Sequence, residues 1–123
     1  MDVIDFKTRI DRFPAAWQAK CVLVYTKRKE IGELQERISK IEFATKRDVL
    51  NMSAEEDHKK DLSNAEKRNA KFDELLVTND IYKRAQSDAQ ALRDSVALLD
   101  IEVKASKFRF DADMALFNAL NTR

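Results

Sequence analysis

The side chains in this chain best suited to binding chemistry are basic groups that lie beside aromatic ones. There are three such clusters. The first is Lys27, Arg28 and Lys29, which follow Tyr25, and the second is Lys46 with Arg47. The third consists of Lys104, Lys107 and Arg109 around Phe108. Basic groups can follow a phosphate backbone while aromatic rings stack on bases, which is how proteins hold single strands. A charge run is also typical of a solvated helix face. The residues predicted to contact nucleic acid are Lys27, Arg28, Lys29, Lys46 and Arg47.

Residues for enzymatic chemistry are scarce. His58 is the single histidine and lies in a charged stretch, where we expect it to be solvated. Cys21 is the single cysteine and lies beside apolar residues, which favours a buried thiol. Metal sites need clustered ligands, and the carboxylates here alternate with Lys and Arg. We therefore expect no enzymatic activity, no catalytic residue, no metal and no cofactor.

Composition restricts the elements that can position these residues. The 123 residues include one Gly and one Pro, and 37% are charged. Average usage would give roughly eight Gly and six Pro. Tight hairpins and phosphate-binding loops require Gly at positive φ, which argues against sandwiches, barrels, Rossmann domains and P-loops. The composition favours a single all-α domain.

Apolar residues recur every seven positions, a spacing typical of a coiled-coil seam. Pro14 suits the first position of a helix, because the N–H that proline lacks has no partner there. We predict a first helix over about 14–50, with a possible short helix over 2–12. The two series that define the seam are Val3, Ile10, Trp17, Val24, Ile31, Ile38, Thr45 and Met52, and Phe6, Phe13, Leu34 and Ile41, the latter interrupted by Lys20, Lys27 and Asp48.

Helix-capping residues after the first helix predict a turn at 51–53. Asn51 tolerates the left-handed conformation, and Ser53 with Glu56 forms a capping-box pattern. A second helix is expected over 54–78 and a third over 81–120. Thr78–Asp80 is either a break, since all three residues can cap a helix, or a polar patch on a continuous helix.

The last helix carries two apolar lines and therefore needs two partners. A hairpin folded at 51–53 would pair residue i with roughly residue 102 − i, so the helix beyond about residue 100 would have no cover within the chain. We predict a long antiparallel helical hairpin or coiled coil with an extended C-terminal helix, assembled as a homo-oligomer. The alternative is a three-helix bundle with a break at Thr78. The expected interface residues are Leu98, Ile101, Phe108, Phe110 and Phe117.

Charge is segregated although the net charge is only +1. In such a hairpin Glu30, Glu33 and Glu36 would meet Lys71, Arg68 and Lys67, which would set the register. A lone cysteine suits a reducing compartment. No apolar run reaches 18 residues, and the N-terminus alternates in charge, so we expect no membrane span, no secretory signal and a cytoplasmic protein.

The order of several segments resembles a known family. FPAAWQAKCVLVYTKRKEIGELQ opens the first helix, ATKRDVLNMSAEED marks the turn, and AEKRNAKFDELLVTND and LRDSVALLDIEVKASKFRF follow. This order is similar to that of the T4-type phage recombination-mediator family (UvsY-like), over roughly residues 13–110. Tyr25, Lys27 and Lys29 match the family's first-helix run. Lys46, Arg47 and Asp48 match its basic stretch before the turn.

The resemblance implies a ring-like homo-oligomer that binds single-stranded DNA. Such a mediator helps to load a RecA-like recombinase onto strands covered by single-strand-binding protein, in the host cytoplasm if the protein is phage-encoded. The basic clusters would contact phosphates, and no cofactor is implied. The alternative is a non-enzymatic coiled-coil scaffold, adaptor or assembly protein that binds another protein. That alternative requires only the seven-residue repeats and a last helix with two apolar lines.

Overall fold

The computed structural model describes residues 3–122, and side chains over residues 5–122. Three helices follow one another in chain order: α1 (Val3–Ser53), α2 (Ala65–Val77) and α3 (Asp80–Asn121). Residues 3–122 contain no strand, so the predicted all-α class is confirmed. None of the three helices contains an apolar stretch long enough to cross a bilayer.

Helix α1 begins eleven residues before the predicted start at Pro14, because Pro14 lies inside the helix rather than at its first position. A proline at an interior position lacks one N–H and crowds the carbonyl group four residues earlier. The helix continues because residues on both sides of Pro14 are packed: Phe6 is buried, and Ile10, Phe13 and Trp17 are half-buried. The separate short helix expected over 2–12 is part of α1 from Val3 onward, while residue 2 lies outside the described range.

The connection between α1 and α2 is longer than the predicted turn at 51–53. Residues 51–53 form the last turn of α1, and residues 54–64 make the connection. Asn51 does not adopt a positive φ, and the Ser53 hydroxyl donates to the Leu50 carbonyl at 2.6 Å instead of capping a following helix. The predicted second helix starts too early because residues 54–61 contain one apolar residue, Ala54, and helices depend on packing of an apolar face.

Two asparagines mark where the later helices start. The Asn64 side chain accepts a hydrogen bond from the Lys67 N–H at 2.8 Å, which caps α2. The Asn79 side chain accepts one from the Tyr82 N–H at 3.0 Å at the start of α3. Each cap satisfies a backbone donor that the first turn of a helix leaves without a partner. The chain therefore breaks at Thr78–Asn79 and does not continue as one helix.

The seven-residue pattern identifies the packed side of both long helices. On α1 its positions from Phe6 to Met52 are buried or half-buried, with the exception of Asp48. The interrupting lysines, Lys20 and Lys27, are half-buried with the rest. The packed positions of α3 are Tyr82, Ala85, Ala89, Leu92, Val96, Leu99, Val103, Ser106, Phe110, Asp113 and Phe117. The polar interruptions Ser106 and Asp113 thus belong to the packed line of α3.

The chain divides into two compact units. The paired-helix unit contains residues 1–29 and 92–123, and the three-helix unit contains residues 30–91. In the paired-helix unit α1 and α3 run antiparallel, because residues later in α1 contact residues earlier in α3. These contacts are Arg9–Asp113 at 2.8 Å, the Phe13 and Phe110 ring centroids at 4.1 Å, Lys20–Ser106 at 3.4 Å and Arg28–Asp100 at 2.8 Å.

These contacts correct the predicted pairing. A hairpin folded at 51–53 would place Arg28 near residue 74, yet Arg28 pairs with Asp100. The part of α3 expected to lack cover therefore packs on α1, and Phe110 stacks on Phe13 within the chain. The reason is that the chain reverses over the 54–64 connection, later than the predicted turn at 51–53, so residues further along the chain lie opposite α1.

In the three-helix unit, parts of α1, α2 and α3 pack together. Lys46 and Val49 of α1 line a cleft with Arg68 and Phe72 of α2. The Tyr82 hydroxyl of α3 donates to a Glu42 carboxylate oxygen of α1 at 2.9 Å. Burial, and then the hydrogen bond to Glu42, raise the pKa of Tyr82 above its ordinary value. All three helices therefore contribute to this unit.

The predicted ion pairs between Glu30, Glu33 or Glu36 and the basic residues of α2 are absent from residues 3–122. Glu36 pairs with Lys40 at 3.4 Å, and Lys71 pairs with Glu74 at 3.6 Å. Both pairs lie within a single helix, so they do not set a register between helices. Charge segregation alone could not select the partner helix, because exposed ion pairs contribute only about 0–1 kcal/mol.

Candidate nucleic-acid interface

Three aromatic side chains are strongly exposed. The exposed fractions are 70% for Tyr25, 71% for Phe43 and 79% for Phe108. The other seven aromatic residues are buried or half-buried: Phe6, Phe13, Trp17, Phe72, Tyr82, Phe110 and Phe117. An exposed ring has a face free to stack on a ligand, so these three positions are candidates for contact with another molecule.

Tyr25 belongs to the first predicted basic cluster. Arg28 and Lys29 follow it by three and four positions, so all three lie on one side of α1. The Arg28 guanidinium pairs with Asp100 at 2.8 Å, and Lys27 is half-buried in the packed line. Lys29 is therefore the basic group of this cluster that is most available to a ligand.

Phe43 belongs to the second predicted cluster. Lys46 and Arg47 lie three and four positions after it, and both are exposed without an ion-pair partner in the described part of the chain. Lys40, three positions before it, pairs with Glu36 at 3.4 Å. Two unpaired cations therefore lie beside an exposed ring in this cluster.

The third cluster surrounds Phe108 on α3. Lys104 lies one turn before it, and Arg109 is the next residue. Lys107 pairs with Asp111 at 2.8 Å and lies 5.3 Å from the centroid of the Phe110 ring. Two basic groups, Lys104 and Arg109, remain without an ion pair among residues 3–122.

The structure shows which aromatic residues are packed and which are exposed, a distinction that the sequence did not make. Trp17 is half-buried, and Phe110 packs on Phe13 within the chain although it was predicted at an interface between copies, whereas Phe108 is exposed. Phe108 differs from Phe110 because it is two positions away and therefore on another side of α3. Phe43 was missed, although its spacing of three and four residues from Lys46 and Arg47 is visible in the sequence.

The predicted interface residues fall into two groups. Leu98, Ile101 and Phe108 are 65%, 64% and 79% exposed. Phe110 and Phe117 are half-buried on the packed line of α3. Phe110 has its cover within the chain, so only the exposed group offers an uncovered apolar surface.

The residues considered for enzymatic chemistry are dispersed. Cys21 is half-buried, and the His58 Nε2 atom lies 3.9 Å from a Glu55 carboxylate oxygen. Within the described range, no group of three or more His, Cys, Asp or Glu residues is arranged to hold a metal ion. The arrangement offers binding chemistry: guanidinium and ammonium groups for anions, and rings for stacking. Comparison of the chain with protein-family models, curated proteins and solved structures finds no match.

Proposed function

We propose that this protein binds single-stranded nucleic acid without catalysing a reaction, as a mediator of the recombination-mediator class that its sequence resembles. One observation carries the proposal: every strongly exposed aromatic ring lies within one helical turn of a predicted basic cluster. The pattern holds for Tyr25, Phe43 and Phe108, which lie on two different helices.

The pairing of rings with cations suits a single strand better than a duplex. Stacking of one base on an aromatic side chain contributes about 1–3 kcal/mol, and it requires an unpaired base whose face is free. Neighbouring Lys and Arg side chains contact phosphates and make the affinity dependent on salt. A homo-oligomer would repeat each cluster and so increase the number of phosphate contacts.

The mediator role assigns the chemistry to a partner. The protein would hold single-stranded DNA so that a RecA-like recombinase replaces single-strand-binding protein on it. On DNA covered by single-strand-binding protein, adding this protein should shorten the lag before recombinase ATPase activity begins. An unchanged lag, with DNA binding intact, would restrict the function to DNA binding.

Replacing both Lys46 and Arg47 by Ala should weaken binding to labelled oligo-dT about tenfold or more, because charge-assisted contacts to phosphates are lost. The slope of log affinity against log salt should become shallower by about 0.7 for each phosphate contact removed. Phe43→Ala should weaken binding with little change in that slope, since stacking releases no counterions. Fluorescence anisotropy over a salt series measures both quantities.

The matched control is Lys83→Ala with Arg84→Ala. This pair removes the same charge from exposed positions in the same unit, and no strongly exposed ring lies beside it. An equal loss of affinity in both double variants would assign binding to overall charge and contradict the proposed cluster. Failure of the unmodified protein to bind at low salt would reject nucleic-acid binding itself.

The exposed apolar line of α3 favours a second candidate, a scaffold that acts by self-association. Leu98, Ile101 and Phe108 lie at spacings of three and seven residues, which places them on one side of the helix. We propose that this line is the homo-oligomer interface. Light scattering should then give a mass well above 14.3 kDa.

Ile101→Asp should reduce that mass toward the monomer, because a carboxylate would have to lose its hydration at the interface. Ile81→Asp is the control, since Ile81 is 68% exposed on the same helix but belongs to the other unit. A monomer at tens of micromolar would reject the interface. A stable oligomer that ignores DNA would favour the scaffold over the mediator.

A further inference from the structure

Three arginines line one cleft in the paired-helix unit. Of the three, only Arg109 also belongs to one of the basic clusters. The cleft has a volume of about 250 Å³ and lies between α1 and α3. Arg9 and Arg12 line it from α1, and Arg109 lines it from α3. Arginine side chains from facing helices thus line one concavity.

The charges in this cleft are not balanced. Asp113 is the carboxylate in its lining, is only 7% exposed, and pairs with Arg9 at 2.8 Å. Within residues 3–122, Arg12 and Arg109 have no ion-pair or hydrogen-bond partner. After the Arg9–Asp113 pair is set aside, two of the arginines that line the cleft have no ion-pair partner among residues 3–122.

The unbalanced charge indicates which anion would fit. Like charges that share a site repel, and a bound anion relieves that repulsion. A phosphate monoester carries about −1.5 to −2 at pH 7, which matches two guanidinium groups, whereas a phosphodiester or a carboxylate carries −1. Guanidinium groups can also donate two parallel hydrogen bonds to phosphate oxygens.

The walls of the cleft indicate what carries the phosphate. Phe13 and Phe110 lie in its lining, stacked with ring centroids 4.1 Å apart and planes inclined by 13°. Ala16 adds to this apolar wall, and the Ser106 hydroxyl lies on the α3 side. A ligand that combines a planar apolar body with a terminal phosphate would contact both kinds of surface.

We propose that this cleft binds the phosphate monoester of a nucleotide, either free or at the end of a strand. The site is independent of the proposed single-strand binding, because it depends on a terminal dianionic phosphate rather than on backbone diesters and exposed rings. The guanidinium groups of Arg12 and Arg109 hold the phosphate. The Arg9–Asp113 pair keeps its position beside them and lines the cleft.

Calorimetric titration with thymidine monophosphate tests the proposal, with thymidine and a dinucleoside monophosphate as the uncharged and diester comparisons. The monoester should bind most tightly. Arg12→Ala and Arg109→Ala should each weaken it roughly 10- to 100-fold, because a charge-assisted contact is lost. Arg93→Ala is the matched control, since Arg93 is an exposed arginine on α3 in the same unit but outside the cleft.

Circular dichroism of each variant checks that helicity is retained. Absence of monoester binding, equal binding of monoester and diester, or equal losses in the Arg12, Arg109 and Arg93 variants would overturn the proposal. A comparison of 5′-phosphorylated with 5′-hydroxyl oligonucleotides identifies the source of the phosphate. Tighter binding of the phosphorylated strand, lost in Arg12→Ala but kept in the Lys46/Arg47 double variant, assigns the site to strand ends. Equal binding of both strands, with thymidine monophosphate bound, assigns it to the free nucleotide.

Discussion

Replacing Pro14 by Ala should raise the free energy of unfolding by about 3 kcal/mol, since proline inside a helix is disfavoured by that amount relative to alanine. Pro14 is exposed and lies inside α1, so alanine at this position creates no clash and restores a backbone N–H to the helix. Thermal unfolding followed by circular dichroism should show a midpoint higher by about 10 °C. A change of this size is distinctive because most substitutions destabilise.

The stabilisation by Pro14→Ala can be compared with that by Gly32→Ala, a second substitution by alanine inside α1. Gly32 is exposed within α1, and a Cβ atom added there would meet nothing within 4 Å. No other helix of the described chain approaches this position closely. Alanine should therefore stabilise by about 0.5–1 kcal/mol from helix propensity alone. If Pro14→Ala gave no more than Gly32→Ala, a helix that starts at Pro14 would explain the result, and the continuous α1 would be contradicted.

Replacing Phe110 by Ala should lower the free energy of unfolding by about 2–4 kcal/mol. A buried phenylalanine costs about 3–5 kcal/mol when it is cut back to alanine, and the half-buried state of Phe110 reduces that value. The substitution also removes the stack on Phe13, which packs α3 against α1 in the paired-helix unit. Urea denaturation at low protein concentration measures the change.

Phe108→Ala is the matched control, because it removes the same side chain from a position two residues away on the same helix. At 79% exposure its loss should change the stability of the monomer by no more than about 0.5 kcal/mol. The same variant should weaken self-association or DNA binding, according to which of the proposed contacts Phe108 makes. Equal destabilisation by both variants would contradict the assignment of Phe110 to the packed line and of Phe108 to the surface.

Much of the secondary structure was predictable from local rules. Scarcity of Gly and Pro favoured helices, and the seven-residue spacing identified the packed positions of α1 and α3. The positions that looked like interruptions, Lys20 and Ser106, contact each other at 3.4 Å across the helices. Polar groups at packed positions are tolerated when they find partners, so the pattern continued through them.

Helix ends were less predictable, because the signals for caps are short and ambiguous. Pro14 suits a helix start and Ser53 with Glu56 suits a capping box, yet neither acts in that way here. Asn64 does cap a helix, as its hydrogen bond to the Lys67 N–H shows. Which candidate operates depends on whether the neighbouring residues can bury apolar surface, and residues 54–61 have almost none.

The basic clusters of the candidate site were visible in the sequence, but their availability was not. Arg28 is paired with Asp100 and Lys27 is half-buried, whereas Lys46 and Arg47 are exposed and unpaired in the described range. The convergence of Arg12 and Arg109 on one cleft has no local signal, because 97 positions separate them along the chain.

By itself, the sequence determined that this protein is helical and which side of each long helix is packed, because periodicity is a local property of the chain. Only the tertiary structure decided that α3 is the partner of α1, and that Phe110 is covered while Phe108 is exposed. The physical reason is that a seven-residue repeat has no partner preference of its own. The position of the 54–64 connection supplies the register, because it places Phe110 and Asp100 of α3 opposite Phe13 and Arg28 of α1.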